Sequence, residues 1–503
     1  MDYYNDLKPC FNKLTQLNVW DSLYTIRQYI NKYIDNYNLD KTNLNGIEHP
    51  NMCPINLYIA DFLTCACLKY SKKCRCEHSL RYFKTRSKIC KTVNKVYDEA
   101  NEIVKKYPSV WLKSHALSQY KMQHYQFFYE RIYKYYYLYS TDILKDYVHR
   151  DLGISLKNYF LLGVTLYFYF SRSLCIDKNN LQKEFKIKGN PWKCEEFEKI
   201  ISILSCDIDD IRNKIHINCS DSVMLFFSDS PHVNHPILFD NDNFYCSNPL
   251  YILYSCIEGL QFHLDLKAKK NIELNKALAT NLENYIGEQL LYYSNDGNFK
   301  YIKELSYSKG RKTSDWIIYD DECVVFLDCK LKKLTVDASR SLSLDIQIVN
   351  DLIASECFKS KDKIEATKKS LSPLMKDVFS LGVDMGKIFC SYYDWSNNKI
   401  KEFTYDKNLK VCAIILSLEE LFCEAFEIKG VIDRIALAYL NQKRNCHVLQ
   451  PIKTKIISSS TFDGIMPLIK ERGLYKTFIE DDVDMEYKEN SWLKKGFEDL
   501  IKD

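Results

Sequence analysis

Asp315 is followed, after twelve intervening residues, by Asp328, Cys329 and Lys330 in the segment TSDWIIYDDECVVFLDCKLKKL, Thr313 to Leu334. Two carboxylates with a backbone carbonyl between them, here that of Cys329, are the oxygen-rich set that Mg²⁺ or Mn²⁺ accepts, with water and a substrate phosphate completing the octahedron. A lysine beside such an ion can hold the attacking water and offset charge on the phosphate. Asp328 and Lys330 are two residues apart, so on a strand they share a face.

For these groups to meet, the segment must be a hairpin. The short strand Trp316 to Tyr319 leads into a turn of Asp320, Asp321 and Glu322, and a second apolar strand, Cys323 to Leu327, delivers Asp328. Upstream, the spacing predicts a helix over Ile272 to Tyr293 and a strand-like run over Phe299 to Tyr307. Downstream it predicts helical segments near Leu342 to Cys357 and Lys359 to Phe379, then apolar runs at Ile388 to Tyr393 and Val411 to Leu416. The last of these, VCAIIL, does not alternate, which suits a strand buried on both faces. From Glu419 the pattern reads as helices again. The front of the chain, Asp2 to about Leu204, carries apolar residues at helical steps, as in Val19, Leu23, Ile26, Ile30 and Ile34, so an all-helical front half is expected. Pro231, Pro236 and Pro249 mark a junction. Three regions follow: 1–265, a helical targeting or sensing region; 266–430, an α/β domain; and 431–503, a C-terminal helical extension.

The Asp315…Asp328-Cys329-Lys330 pattern resembles the signature of the PD-(D/E)XK nuclease superfamily, with Ser314 where the family commonly has Pro and Asp328 in place of the commoner Glu. The family core is a helix, three antiparallel strands, a helix and a fourth strand. The order from about Asn275 to Leu416 is similar, with Ile388–Tyr393 or Val411–Leu416 as the fourth strand. The resemblance implies a mixed-sheet nuclease core flanked by helices, in which Asp315, Asp328 and the Cys329 carbonyl bind Mg²⁺ or Mn²⁺ and Lys330 orients the attacking water. It further implies an acidic residue from the first helix, Glu283 or Glu288. On a helical wheel Glu283 borders the apolar face of Leu282, Tyr285, Ile286 and Tyr293 whereas Glu288 points toward solvent, so Glu283 is preferred. The stretch HPILFDNDNFYCSNPLYILYSCIEGLQFHL resembles the lead-in of bacterial nucleases of this superfamily, some from antiviral or mobile gene islands. The implied activity is phosphodiester hydrolysis, in DNA before RNA, with Lys309, Arg311, Lys312, Lys332 and Lys333 as a positive rim for phosphates. A non-catalytic nucleic-acid-binding or partner-binding protein on the same fold is the rival.

Composition sets the frame. Hydrophobic residues at 46% and charged residues at 27% suit a globular chain in water. Lys plus Arg is 70 against 66 for Asp plus Glu, so any nucleic-acid site must be local. The longest apolar stretch, Tyr159 to Phe170, is 12 residues, short of the roughly 20 of a membrane span, and no membrane association is expected. A cysteine count of 20 in 503 residues, well below that of a disulfide scaffold, and no secretory segment at the start lead to a cytoplasmic expectation. The pattern leaves room for a homo-oligomer and for a regulatory partner.

Three weaker motifs remain. Cys65, Cys67, Cys74, Cys76 and His78 are dense enough for Zn²⁺, but C-x-C pairs lack the gap of a zinc knuckle and buried thiols are the stronger expectation. Arg212 and His216 resemble the Arg-Asn…His signature of HEPN ribonucleases, one residue short; a charged helix end is the stronger expectation. The aromatic run Tyr125 to Tyr139 could stack bases, although aromatics at this spacing more often line a core. No Walker-type phosphate loop is present, so ATP is not implied.

Overall fold

The computed structural model describes residues 3–38, 56–74, 79–105, 128–185, 194–215, 217, 230–265, 272–295, 299–307, 310–331, 346–355, 357–419, 421, 427–446, 452–480 and 488–502. The class is mixed α/β, and the residues fall into two compact units that divide between 271 and 272. No helix among the described residues is long and apolar enough to cross a membrane.

The first unit holds helices α1 (Tyr3–Leu14), α2 (Val19–Asn38), α3 (Leu57–Tyr70), α4 (Phe83–Lys105), α5 (Phe128–Leu138), α6 (Asp142–Leu152), α7 (Leu156–Arg172), α8 (Lys178–Phe185), α9 (Cys194–Leu204), α10 (Ile208–Lys214), α11 (Leu250–Cys256) and α12 (Leu260–Asp265). It is not all-helical. Four short strands, β1 (Cys175–Asp177), β2 (Ser205–Asp207), β3 (Ile237–Asp240) and β4 (Asn243–Tyr245), form a sheet in the order β1-β4-β3-β2. Strands of three or four residues carry too few alternations to register against a helical background, which is why the front half reads as purely helical. The apolar run Tyr159 to Phe170 lies within α7, with Leu162, Leu166 and Phe170 wholly buried.

The second unit begins with α13 (Ile272–Ser294) and continues through β5 (Lys300–Lys303), β6 (Ser306–Tyr307), β7 (Arg311–Lys312), β8 (Trp316–Tyr319) and β9 (Cys323–Lys330). There follow α14 (Ile346–Ala354), α15 (Lys361–Ser370), α16 (Pro373–Ser396), β10 (Lys410–Ser417), α17 (Glu427–Arg444), β11 (Lys453–Ser458), α18 (Ser459–Phe478) and α19 (Ser491–Lys502). The main sheet runs β11-β10-β9-β8-β5. β5, β8 and β9 are antiparallel neighbours, while β10 lies parallel to β9 and β11 parallel to β10.

Two expectations for this half change. Of the two apolar runs weighed as a fourth strand, Val411–Leu416 lies in β10 and Ile388–Tyr393 lies inside the long helix α16. The residues from 431 onward are not a separate helical extension: β11 supplies the sheet's edge strand and α18 packs on the sheet. The central strands explain the stability of this unit. Val324, Phe326, Ala413 and Ile415 enter the core shared with α16 and α17. The alternate residues Val325, Leu327, Ile414 and Leu416 are equally buried, beneath the side covered by α13 and α18. Both faces of β9 are therefore sealed, and its sequence becomes polar only at Asp328.

Candidate active site

The β8–β9 turn is organised by one side chain. Asp320 accepts hydrogen bonds through Oδ1 from the amides of Glu322 and Cys323, at 2.9 and 2.7 Å, which closes the turn. Its other oxygen accepts from the Leu474 amide at 3.0 Å, where α18 kinks at Gly473, whose φ of +80° suits glycine. With the turn fixed, Trp316 pairs with Leu327 across the hairpin. Asp315 and Asp328 lie just beyond that pair.

The two aspartates bind each other's backbone neighbours. The Asp315 amide donates to Asp328 Oδ1 at 3.2 Å, and the Cys329 amide donates to Asp315 Oδ2 at 2.7 Å. Lys330, on the same face of β9 as Asp328, places Nζ 3.0 Å from Asp328 Oδ2 and 4.0 Å from Asp315 Oδ2. The structure thus brings Asp315, Asp328, the Cys329 backbone and Lys330 together. All three ionisable side chains are largely buried, yet none is sealed: Asp315 keeps 18% and Lys330 24% of its side-chain surface.

Glu283 joins this field from α13. It is half-buried and interacts electrostatically with Lys330 and Asp328, whereas Glu288 is exposed. Two features set the rotation and approach of the helix. Tyr285 and Gln289 donate to the buried Asp463 carboxylate at 2.7 and 2.8 Å, and Asn490 donates to Gln289 at 2.8 Å. Gly287 meets Trp316 so closely that a Cβ there would stand 2.7 Å from the indole, so only glycine lets α13 lie this near β8.

Electrostatics mark the centre as strained. Burial, reinforced by the neighbouring Asp328, pushes the Asp315 carboxyl up to about 7. Burial raises Glu283 as well, against the pull of Lys330. Burial alone would lower Lys330, but Asp328 and Asp315 outweigh it and hold its ammonium charged well above the ordinary range. A further carboxylate, Asp384 on α16, also lies in the field of Lys330 and is itself buried, paired with Lys387 at 2.8 Å. Sequence reasoning passed over it. The available signal was an aspartate inside the apolar stretch FSLGVDMGKIF of an amphipathic helix.

Comparison with protein-family models, with curated proteins and with solved structures gives no match. The chemistry of the site therefore rests on its own geometry. Among the described residues no three His, Cys, Asp or Glu side chains already stand at the spacing of a metal cage. Two carboxylates, a backbone carbonyl and water make the open arrangement that suits Mg²⁺, which keeps much of its hydration, and do not suit Zn²⁺.

The remaining predicted residues are dispersed. Arg311 and Lys312 alternate on β7. Arg311 reaches Asp394 at 3.4 Å, and Lys312 pairs with Glu304 at 2.7 Å within the field of Asp315 and Glu283. Lys309, Lys332 and Lys333 lie outside the described residues, as do Cys76, His78 and His216. Cys65 contacts Ser230 at 2.8 Å while Cys67 is buried toward Ser71 and Cys90, and Cys74 is exposed, so these three do not converge. Arg212 donates to the carbonyls of Leu68 and Ser71, closing the end of α3. In α5 the aromatics are buried or half-buried, and its Arg131 forms a buried ion pair with Glu258, so that helix offers a packed seam.

Proposed function

We propose that this chain is a metal-dependent nuclease that hydrolyses phosphodiester bonds, in DNA before RNA, as the resemblance to the PD-(D/E)XK superfamily implies. The observation that carries the reading is the meeting of Asp315, Asp328 and Lys330 at the open end of the β8–β9 hairpin. The surrounding order supports it: a helix, three antiparallel strands, helices, and a fourth strand parallel to the third.

The fit to a divalent cation follows from charge. Asp315 and Asp328 share the Lys330 ammonium, with Glu283 in the same field, and burial together with the neighbouring Asp328 raises the Asp315 carboxyl, which a divalent cation would offset. Asp315, Asp328 and the Cys329 carbonyl would hold Mg²⁺ or Mn²⁺, with Glu283 assisting directly or through water. Bound there, the ion supplies Lewis-acid polarisation of the phosphate and acidifies water. Lys330 then orients the attacking water and offsets charge developing on the phosphate, a role for which its raised pKa keeps it protonated. Asp384 on α16 adds to the negative field around that ammonium.

The test is cleavage itself. Purified protein is incubated with supercoiled DNA, single-stranded DNA and RNA in Mg²⁺, in Mn²⁺ and in EDTA. Cutting of DNA with either ion and none in EDTA is the expected pattern. Cutting that persists in EDTA, or no cutting of any substrate with either ion, overturns the proposal, the latter in favour of a scaffold that binds without catalysis.

A further inference from the structure

The near-neutral balance of the whole chain conceals a strong local excess. Between 62 and 97 there are ten Lys and Arg residues and one acidic residue, Glu77, so this stretch alone exceeds the net charge of +4 of the entire protein. On α4 the excess is ordered. Lys84, Lys88, Lys91 and Lys95 succeed one another at steps of four and three, which places them in one stripe along about 17 Å of helix, and Arg81 lies just before the first turn. All five are exposed, while Ile89, Cys90, Val93, Val96 and Tyr97 bury the opposite side.

The first turn of α4 has no acidic residue, so Lys84 sits at the end where the helix dipole is already positive. Lys95 pairs with Glu99, four residues on, at 3.8 Å, and Arg81 pairs with Asp21 at 2.9 Å. Around the amino end of the stripe lie three large exposed rings: Tyr82 at 57%, Phe83 at 50% and Tyr24 at 41%. Arg81 lies over the Tyr24 ring at 4.9 Å and Arg86 over Phe83 at 5.8 Å, so rings and cations share one surface.

We infer that the exposed face of α4, with Tyr24, Tyr82 and Phe83, is a binding surface for single-stranded nucleic acid. The lysine stripe follows the phosphates, and the rings stack unpaired bases, which a paired duplex does not present. The partner is fixed by two complementarities at once. A polyanion without bases matches only the stripe, and an apolar peptide matches only the rings. The inference stands apart from the nuclease reading, because it concerns the first unit and needs no metal.

The test measures binding of the full chain in EDTA, by fluorescence anisotropy of labelled single-stranded DNA, single-stranded RNA and duplex of matched sequence, over a series of KCl concentrations. Wild type should bind either single strand more tightly than duplex. Replacing Lys84, Lys88 and Lys91 together by Gln should reduce the log–log salt slope by roughly 2, since each phosphate contact on a single strand contributes about 0.7. Lys84→Glu, Lys88→Glu and Lys91→Glu combined should weaken binding more than about tenfold. The pair Tyr82→Ala and Phe83→Ala should weaken it about tenfold and leave the slope unchanged. All these positions are exposed, and thermal melts check that each variant folds. Unchanged affinity in the triple Glu variant, tighter binding of duplex, or no binding by wild type overturns the inference. Failure of cleavage with binding intact bears only on the nuclease reading.

Discussion

Asp394 and the Asp315–Asp328 pair belong to the same unit and are both largely removed from water, yet they are balanced in opposite ways. Asp394 is fully buried at the end of α16, where Arg444 approaches at 2.8 Å, Lys399 at 3.1 Å and Arg311 at 3.4 Å, and Tyr307 donates at 2.8 Å. Burial would raise its carboxyl, but the hydrogen bonds from Arg444, Tyr307 and Lys399 prevail and hold it below the ordinary range. Around Asp315 the outcome reverses: burial, with the neighbouring Asp328 adding to it, outweighs the pull of Lys330 and of the Cys329 amide, and its carboxyl is driven up to about 7. A carboxylate surrounded by its own cations ties β6, β7, α16 and α17 together and has nothing left to bind. A buried pair whose carboxyls are not held down by its own cations suits a cation from outside, which is the basis of the proposed metal site.

The comparison breaks most visibly under substitution. Asp328→Ala and Lys330→Ala should each lower cleavage by at least about 10³-fold, roughly 4 kcal/mol in the barrier, in a steady-state plasmid assay. Nucleic-acid binding should survive in Lys330→Ala. Asp394→Ala acts on stability instead. It strands the largely buried Arg444 and should cost about 3 kcal/mol in urea unfolding, with cleavage per folded molecule unchanged. If Asp394→Ala abolishes cleavage in the folded protein and Asp328→Ala only unfolds it, the two roles have been assigned the wrong way round.

Smaller effects sharpen the contrast. Glu283→Gln should slow cleavage about tenfold, and Glu288→Gln should leave it at the wild-type rate, because only the former shares the field of Lys330. The smallest effect concerns pH. A carboxyl raised from about 4 to about 7 takes up a proton on folding between those limits, so its penalty on stability grows as pH rises through that window and is complete above it. Asp315→Asn removes the penalty. In metal-free protein it should stabilise by on the order of 1 kcal/mol near pH 8 and by nothing measurable near pH 4, read from denaturant midpoints at each pH.

How far the sequence discloses this architecture depends on the length scale of each signal. The hairpin was legible because CVVFL is bounded by a turn on one side and by charge on the other, and because Asp328 and Lys330 must share a face on any strand. The placement of Glu283 beside the site followed from a wheel, since the buried residues of α13, Leu282, Tyr285, Ile286, Gln289 and Leu290, define its orientation. Ile388–Tyr393 was ambiguous because a short apolar run looks the same in a buried strand and a buried helix. The edge strand β11 was missed because Lys453 and Lys455 break up its apolar run, although Thr454, Ile456 and Ile457 offer β-branched side chains. Asp394 and Asp384 carried no legible role at all. Tyr307, Arg311 and Arg444, which hold Asp394, and Lys330, whose field Asp384 shares, come from elements far apart in sequence, and no local period records such contacts.

The central claim is that Asp315 and Asp328 hold a divalent cation, and calorimetric titration of Mn²⁺ into the intact chain near pH 7 reaches it most directly. Run in two buffers of different protonation enthalpy, it should show saturable binding with proton release, because Asp315 must shed the proton it holds near that pH. The same titration should show binding retained in Lys330→Ala and lost in Asp328→Ala. Saturable binding of wild-type strength in Asp328→Ala, or none in the wild type, would contradict the account.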